Sequence, residues 1–180
     1  MSLRKLIAAL AAAAALFFWL ARSAATPAVE SATASPVSSA PSPALQGGAL
    51  KETVNGITYH MPYGRPTRPF TPAVQVGDII YLAGQIGTGA SAQGGVVTGG
   101  IQAETRQTMQ NIKDVLDKSG SSMEHVFKCT VFMADMKEWD AMNEVYTTFF
   151  PNHKPARSAL GANGLALNAR VEIECLAKAR

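Results

Sequence analysis

The chain has 180 residues and is 47% hydrophobic, which is enough for one folded domain of ordinary size with additional segments. Its formal net charge is +3, from 16 Lys and Arg against 13 Asp and Glu. Three of the basic residues, Arg4, Lys5 and Arg22, lie in the first 25 positions, where no acidic residue occurs. The rest of the chain is therefore neutral in total, and we expect no nucleic-acid binding.

Residues 1–25 have the pattern of an export signal. Arg4 and Lys5 form a basic start, residues 6–21 are an apolar run, and small residues at 23–25 offer a cleavage site. A membrane-spanning helix usually needs about 20 apolar residues, more than this run provides. We therefore expect cleavage at the end of this segment, export to the periplasm and no stable membrane contact afterwards. The alternative is an uncleaved N-terminal anchor.

Residues 26–49 are rich in Ala, Ser and Pro. Such a composition cannot bury enough apolar surface to offset the loss of chain entropy on folding. The segment therefore predicts a disordered linker, and the folded domain is expected to span residues 50–180.

The first half of this domain predicts two β-hairpins and a helix. One hairpin spans 53–59 with an Asn-Gly turn, and the next spans 73–84 with a Gly-Asp turn. Gly84 then allows another group to approach the backbone closely. A stripe of apolar residues at helical spacing predicts a helix over 101–119, which Gly120 would end.

The second half predicts three strands and a second helix. Strict alternation over 126–133 would place Phe127 on the same face as Cys129. An Asp-x-x-Glu capping box predicts a helix over 136–150. The remaining strands are predicted over 157–162 and 170–178. Because each helix has one apolar stripe, both should cover one face of a single sheet, which gives a two-layer α+β fold.

The two cysteines, Cys129 and Cys175, both lie in apolar strand-like runs. No CxxC pair or Cys/His cluster accompanies them, so the sequence predicts no zinc site. Buried free thiols are the default interpretation. If the chain is exported, a disulfide between them is chemically possible, provided that their Cα atoms lie close together.

Charged residues near the C-terminus form a candidate site. Glu172 and Glu174 are two apart in a strand pattern, so both carboxylates point to one face. Arg157 precedes them and could hold a carboxylate ligand in a bidentate fork. The alternative is a structural salt-bridge cluster, in which Lys128 pairs with Glu174 across the sheet.

Five groups of residues follow one another along the domain. They are Gly77-Asp78 with Ala83-Gly84-Gln85-Ile86, Thr105-Arg106-Gln107 with Asn111-Ile112, Phe149-Phe150-Pro151, Pro155-Ala156-Arg157-Ser158, and Val171-Glu172-Ile173-Glu174. In this order they resemble the Rid (reactive intermediate deaminase, YjgF-like) family. The resemblance implies a chorismate-mutase-like fold, with a mixed β-sheet and two helices on one face. It also implies a homotrimer with a ligand cleft at each subunit interface.

The resemblance further implies an enzyme, a hydrolase similar to 2-iminobutanoate/2-iminopropanoate deaminase. Such a protein converts enamine and imine intermediates, such as 2-aminoacrylate, to 2-keto acids and ammonia without a metal or organic cofactor. By position in the motifs, Arg157 would hold the substrate carboxylate and Glu172 would orient the hydrolytic water. Backbone at Gly84 and Ala159 and the side chain of Asn143 would line the cleft.

Two positions depart from the family pattern. Ala73 stands where deaminating members have a tyrosine in the cleft, and Ala159 stands where a cysteine is frequent. The change at Ala73 implies a wider cleft or a missing hydroxyl. The alternative function is therefore a non-catalytic protein on the same trimeric scaffold, which binds a small carboxylate or regulates a partner.

Overall fold

The computed structural model describes residues 49–89, 92 and 94–180. The predicted export signal and the predicted linker up to residue 48 lie outside the described residues. In the described part, none of the helices is both long enough and apolar enough to span a bilayer.

Within residues 49–180 as far as they are described, eight strands form one sheet in the order β1-β2-β3-β4-β8-β6-β7, and the short β5 pairs with β8. All pairs are antiparallel except β6 with β7. The sheet is therefore mixed, as predicted. The strands are β1 Leu50–Val54, β2 Ile57–Met61, β3 Ala73–Val76, β4 Ile79–Leu82, β5 Gln85–Ile86, β6 Val126–Met133, β7 Ala156–Gly161 and β8 Val171–Lys178.

Two helices pack on one face of this sheet. Helix α1 spans Gly100–Lys118 and helix α2 spans Trp139–Tyr146. The buried side chains of both helices belong to one core cluster with those of β4, β6 and β8. This arrangement confirms the predicted two-layer α+β fold.

Helix α2 is shorter than the predicted 136–150, because single 3₁₀ turns replace its first and last turns. The Asp135 carboxylate accepts a hydrogen bond from the Lys137 N–H, whereas Glu138 pairs with Arg170 instead of completing the capping box. At the other end, the Thr148 hydroxyl donates to the Val145 carbonyl, and such bonds compete with the regular helical pattern.

The first hairpin has the turn that its sequence predicts. Asn55 and Gly56 have φ values of 52° and 78°. Two consecutive positive φ values define a type I′ turn, whose twist matches that of the paired strands. The register of β1 and β2 follows, with Val54 opposite Ile57.

The prediction for Phe127 is wrong, because a β-bulge interrupts β6. Val126 lies opposite Ala177 and Lys128 lies opposite Leu176, so Phe127 is the extra residue. The bulge turns Val126 into the core and leaves Phe127 44% exposed. Alternation resumes beyond it, and Cys129 is buried as predicted.

The two cysteines form a disulfide, so the default interpretation as free thiols is wrong. Cys129 and Cys175 are register partners on β6 and β8, with their Cα atoms 4.1 Å apart. Both are buried on the helix side of the sheet. The bond therefore joins two neighbouring interior strands of the sheet within the core.

Reduction of this disulfide should destabilise the domain. The bond closes a loop with a sequence separation of 46 residues, and the chain-entropy model gives such a loop about 4 kcal/mol of stabilisation. We expect fully reduced protein to unfold at a lower urea concentration than oxidised protein. Intact mass under non-reducing denaturing conditions serves as the control and should be two hydrogen masses below that of the dithiol form. Equal urea midpoints would contradict the prediction.

Candidate functional site

The carboxylate of Glu172 lies in a pocket on the helix-free face of the sheet. Glu172 is near the start of β8, between Ile86 of β5 and Phe132 of β6. Alternation along β8 sends its neighbours Val171 and Ile173 into the core and Glu172 to the other side. The pocket wall includes Arg68, Phe70, Ala83, Gly84, Leu167 and Glu172.

Gly84 is required by the position of this carboxylate. A Cβ atom at Gly84 would lie 2.0 Å from Oε1 of Glu172 and 2.9 Å from its carboxyl carbon. No side chain fits there, so the close approach that the sequence predicts at Gly84 is made by Glu172. The absent side chain and the carboxylate together shape the floor of the pocket.

The variant Gly84→Ala should displace the Glu172 carboxylate with little loss of stability, because the added methyl group meets the end of a flexible side chain that can rotate away. A crystal structure of the variant would show a changed Glu172 side-chain conformation. Gly95→Ala is the matched control, because a Cβ atom there meets its nearest neighbour only at 3.4 Å. An unmoved carboxylate in Gly84→Ala would contradict the prediction.

Glu172 has no ion pair or side-chain hydrogen bond with another described residue. Partial burial raises the pKa of its carboxyl group, and the nearby charge of Glu174 raises it further. The expected pairing of Lys128 with Glu174 is wrong. Lys128 Nζ donates instead to the Ser158 hydroxyl of β7, at 2.8 Å, because its register partner on β8 is Leu176.

Replacing Glu172 by glutamine should therefore stabilise the protein at neutral pH. A carboxyl with a raised pKa is harder to ionise in the folded state than in the unfolded chain. This free-energy cost of ionising Glu172 is absent at a pH where the carboxyl is protonated in both the folded and the unfolded state. It reaches its full size above the pKa of Glu172 in the folded state. Thermal unfolding should show a higher Tm for Glu172→Gln at neutral pH, and the difference should vanish below about pH 4.

The control for that measurement is Glu124→Gln, which removes an exposed carboxylate without an ion pair in the described part of the chain. The Tm of Glu124→Gln at neutral pH should stay close to that of the wild type. A salt-bridge role for Glu172 predicts the opposite result, a lower Tm for Glu172→Gln at neutral pH.

Arg157 lies on the opposite side of the sheet from Glu172. It is the register partner of Cys129 in the parallel pair of β6 and β7, and so faces helix α2. Its Nη1 donates to Oδ1 of Asn143 at 2.7 Å. Its guanidinium carbon lies 4.9 Å from the Trp139 ring centroid and 4.7 Å from that of Tyr146. Asn143 is thus placed beside Arg157, where it fixes the guanidinium.

This arginine is held in place but not neutralised. Within the described residues it has no carboxylate partner within 4.0 Å. Asn143 uses one of the five N–H donors of the guanidinium, so donors are left for an anionic ligand. The ring of Tyr146 is buried against Arg157, and burial raises the pKa of Tyr146 to about 12. The Arg157 guanidinium is therefore a fixed cation, and the neutral Tyr146 hydroxyl does not compete with an anionic ligand for it.

The other expected site residues are divided between the two sides. Ala159 packs partly buried against the core, on the same face as Arg157. Ala73 has no exposed surface, because its side chain points into the core opposite Leu82. The expectation that Ala73 lines the cleft is therefore not met in this structure.

Three residues of the pocket wall were not predicted from the sequence: Arg68, Phe70 and Leu167. Arg68 and Phe70 belong to the proline-rich segment between β2 and β3, and Leu167 to the loop before β8. Neither segment has a periodicity that indicates which way a side chain points. Their only sequence signal is the occurrence of large side chains among prolines and small residues.

Comparison with known proteins identifies the chain. Residues 62–179 match the family model described as Endoribonuclease L-PSP. The chain belongs to the Rid/YjgF family. It is 41% identical over 112 residues to the 2-iminobutanoate/2-iminopropanoate deaminase of Dermatophagoides farinae, covering 62% of this chain and 87% of the relative. It is 39% identical over 109 residues to the mouse deaminase of that name, covering 61% and 80%.

Solved structures of the family share the fold. Yeast Mmf1 is 35% identical, with a TM-score of 0.60 over 64% of this chain and 90% of Mmf1. E. coli TdcF, solved with bound serine, is 28% identical, with a TM-score of 0.59 over 64% of this chain and 91% of TdcF. The predicted family and its chorismate-mutase-like α+β fold are therefore confirmed. Among the described residues, no group of three His, Cys, Asp or Glu is placed to hold a metal ion.

Proposed function

We propose that this protein hydrolyses 2-imino acids and their enamine tautomers to 2-keto acids and ammonia. The observation that carries the proposal is the partly buried carboxylate of Glu172, which lies against Gly84 in an open pocket and has no ion-pair partner among the described residues. Relatives named imine deaminases support the reaction. Serine bound to TdcF supports a small ligand with an α-carboxylate.

In the proposed reaction, the guanidinium of Arg157 binds the substrate carboxylate. Glu172, as the carboxylate, accepts a proton from water as the water oxygen bonds to C2 of the imine. Glu172 passes this proton to the nitrogen, which gives an intermediate with a hydroxyl and an amino group on C2. Glu172 then carries the hydroxyl proton to the nitrogen as the C–N bond breaks, the carbonyl forms and ammonia leaves. An enamine first takes up a proton at its β-carbon. The balance is one imine and one water to one 2-keto acid and one ammonia.

We also propose that the active site is completed by a second copy of the chain within a homotrimer. Arg157 and Glu172 face opposite sides of the sheet, so one chain does not bring them together. The helix-free face exposes Val76, Tyr81 and Leu160, at 48%, 44% and 44%. An exposed apolar face of this kind is typical of a subunit interface.

An exported, periplasmic location belongs to the same proposal. The Cys129–Cys175 disulfide supports it, because such bonds persist in oxidising compartments and are rare in the cytoplasm. The proposal includes an export signal over residues 1–25, a linker over 26–49 and the folded domain over 50–180.

The reaction is tested with imines generated in the assay by an amino-acid oxidase. Arg157→Ala should lower kcat/KM about 100-fold, because a charge-assisted carboxylate contact is lost. Glu172→Gln should lower kcat by about 100-fold or more, as expected for loss of a general base. Arg106→Ala, an exposed change on helix α1, is the control. If wild type binds 2-keto acids in calorimetry without turnover, the chain is a carboxylate-binding protein instead.

The shared site is tested by mixing subunits. Arg157→Ala and Glu172→Gln are each inactive in this proposal, but a mixed trimer can join an intact Arg157 to an intact Glu172. Random assembly of equal amounts should restore about a quarter of wild-type activity, by the combinatorics of a cyclic trimer. No recovery after co-refolding, with a trimer mass in sedimentation, would place both residues of each site on one subunit.

The pH dependence should respond to Glu174. Glu172 must be ionised to accept a proton, so kcat/KM should rise with pH through the raised pKa of Glu172. The charge of Glu174 contributes to that rise in pKa, and Glu174→Gln removes it. The acidic limb of the profile should therefore shift to lower pH in Glu174→Gln. A shift to higher pH, or none, would contradict Glu172 as the base that Glu174 perturbs.

A further inference from the structure

One cation in the Glu172 pocket is not used by the proposed reaction. Arg68 lies in the pocket wall together with Glu172 and Phe70. It occurs between Pro66 and Pro69 in the segment that joins β2 to β3. Proline restricts its own φ and the conformation of the preceding residue, so this backbone has few accessible states.

Arg68 is unpaired in the described part of the structure. Its neighbour Arg65 pairs with Glu52 at 3.5 Å, whereas Arg68 has no carboxylate within 4.0 Å and donates no side-chain hydrogen bond. Glu172 shares its pocket but is not within that distance. An arginine and a glutamate that line one pocket without pairing leave space between them for a ligand.

The pocket wall also has an apolar part that includes an unusual backbone conformation. Leu167 lines the pocket, is 55% exposed and has a φ of 55°. The next residue, Asn168, has a φ of 57°. Two consecutive non-glycine residues in the left-handed region are unfavourable, and such outliers occur preferentially at ligand sites. With Phe70, Leu167 gives the pocket an apolar lining suited to methylene groups.

We propose that Arg68 selects 2-imino acids whose side chain carries a second carboxylate. This inference rests on the proposed function, in which Arg157 of a neighbouring subunit takes the α-carboxylate. Arg68, on the Glu172 side, then pairs with the distal carboxylate, and Phe70 and Leu167 contact the methylene groups between the two. Hydrolysis yields a 2-keto dicarboxylate and ammonia. A reaction that removes a hydride from Cα and a proton from the amino nitrogen of an acidic amino acid, and passes the hydride to an oxidised cofactor, would supply such a substrate.

The test compares two imines formed in the assay by amino-acid oxidases, one from glutamate and one from leucine. Wild type should have the higher kcat/KM for the imine from glutamate. Arg68→Ala should lower that value about 10- to 100-fold, the range for loss of a charge-assisted hydrogen bond, and should change the value for the imine from leucine by less than about twofold. Arg65→Ala, in the same loop but outside the pocket, should change neither.

Three results would overturn the inference. They are an equal loss for both substrates in Arg68→Ala, no loss for either, and a loss in Arg65→Ala that matches that in Arg68→Ala. If wild type turns over neither imine, the proposed function fails by itself. Calorimetry with 2-oxoglutarate and 4-methyl-2-oxopentanoate then decides on Arg68, because only the first should lose affinity in Arg68→Ala.

Discussion

The alternation of side chains along β8 is the constraint on which the structure depends. This strand lies between β4 and β6 and also pairs with β5, so both of its edges are hydrogen-bonded and its register is set on both sides. Val171, Ile173 and Cys175 enter the core under the helices, and Glu172 is thereby directed to the helix-free face. A shift of one residue would exchange the two sets and bury the carboxylate under the helices. The same register thus specifies the core and positions the candidate base.

Much of the fold could be predicted from the sequence because its signals are local. The Asn-Gly turn, the apolar stripe of α1 and the alternation of β8 each reflect a few neighbouring residues. The failures involve partners distant in sequence. The bulge at Phe127 depends on how β6 pairs with β8, and the bond of Lys128 to Ser158 depends on the parallel pairing with β7. The disulfide likewise required the register of two strands.

The candidate site could be predicted only in part, and from the family resemblance rather than from local sequence patterns. Arg157, Asn143, Gly84 and Glu172 were identified through the family resemblance, and the structure shows the contacts of each. It also divides them between two sides of one sheet, which motif order does not reveal. Arg157 keeps open donors because α2 presents an amide and two aromatic rings to it but no acid. Glu172 has no ion-pair partner among the described residues, and the glycine at position 84 leaves room for its carboxylate.

The Cys129–Cys175 disulfide links the stability of the domain to the redox state of the compartment in which it folds. Cys175 is on the strand that carries Glu172, and Cys129 is the register partner of Arg157. One covalent bond therefore crosslinks the strand of the candidate base to the strand next to the carboxylate anchor. A precursor that folds in a reducing compartment lacks this crosslink between β6 and β8. In an exported protein the bond would form only after translocation, and the fully stabilised domain would then arise only in the compartment where it acts.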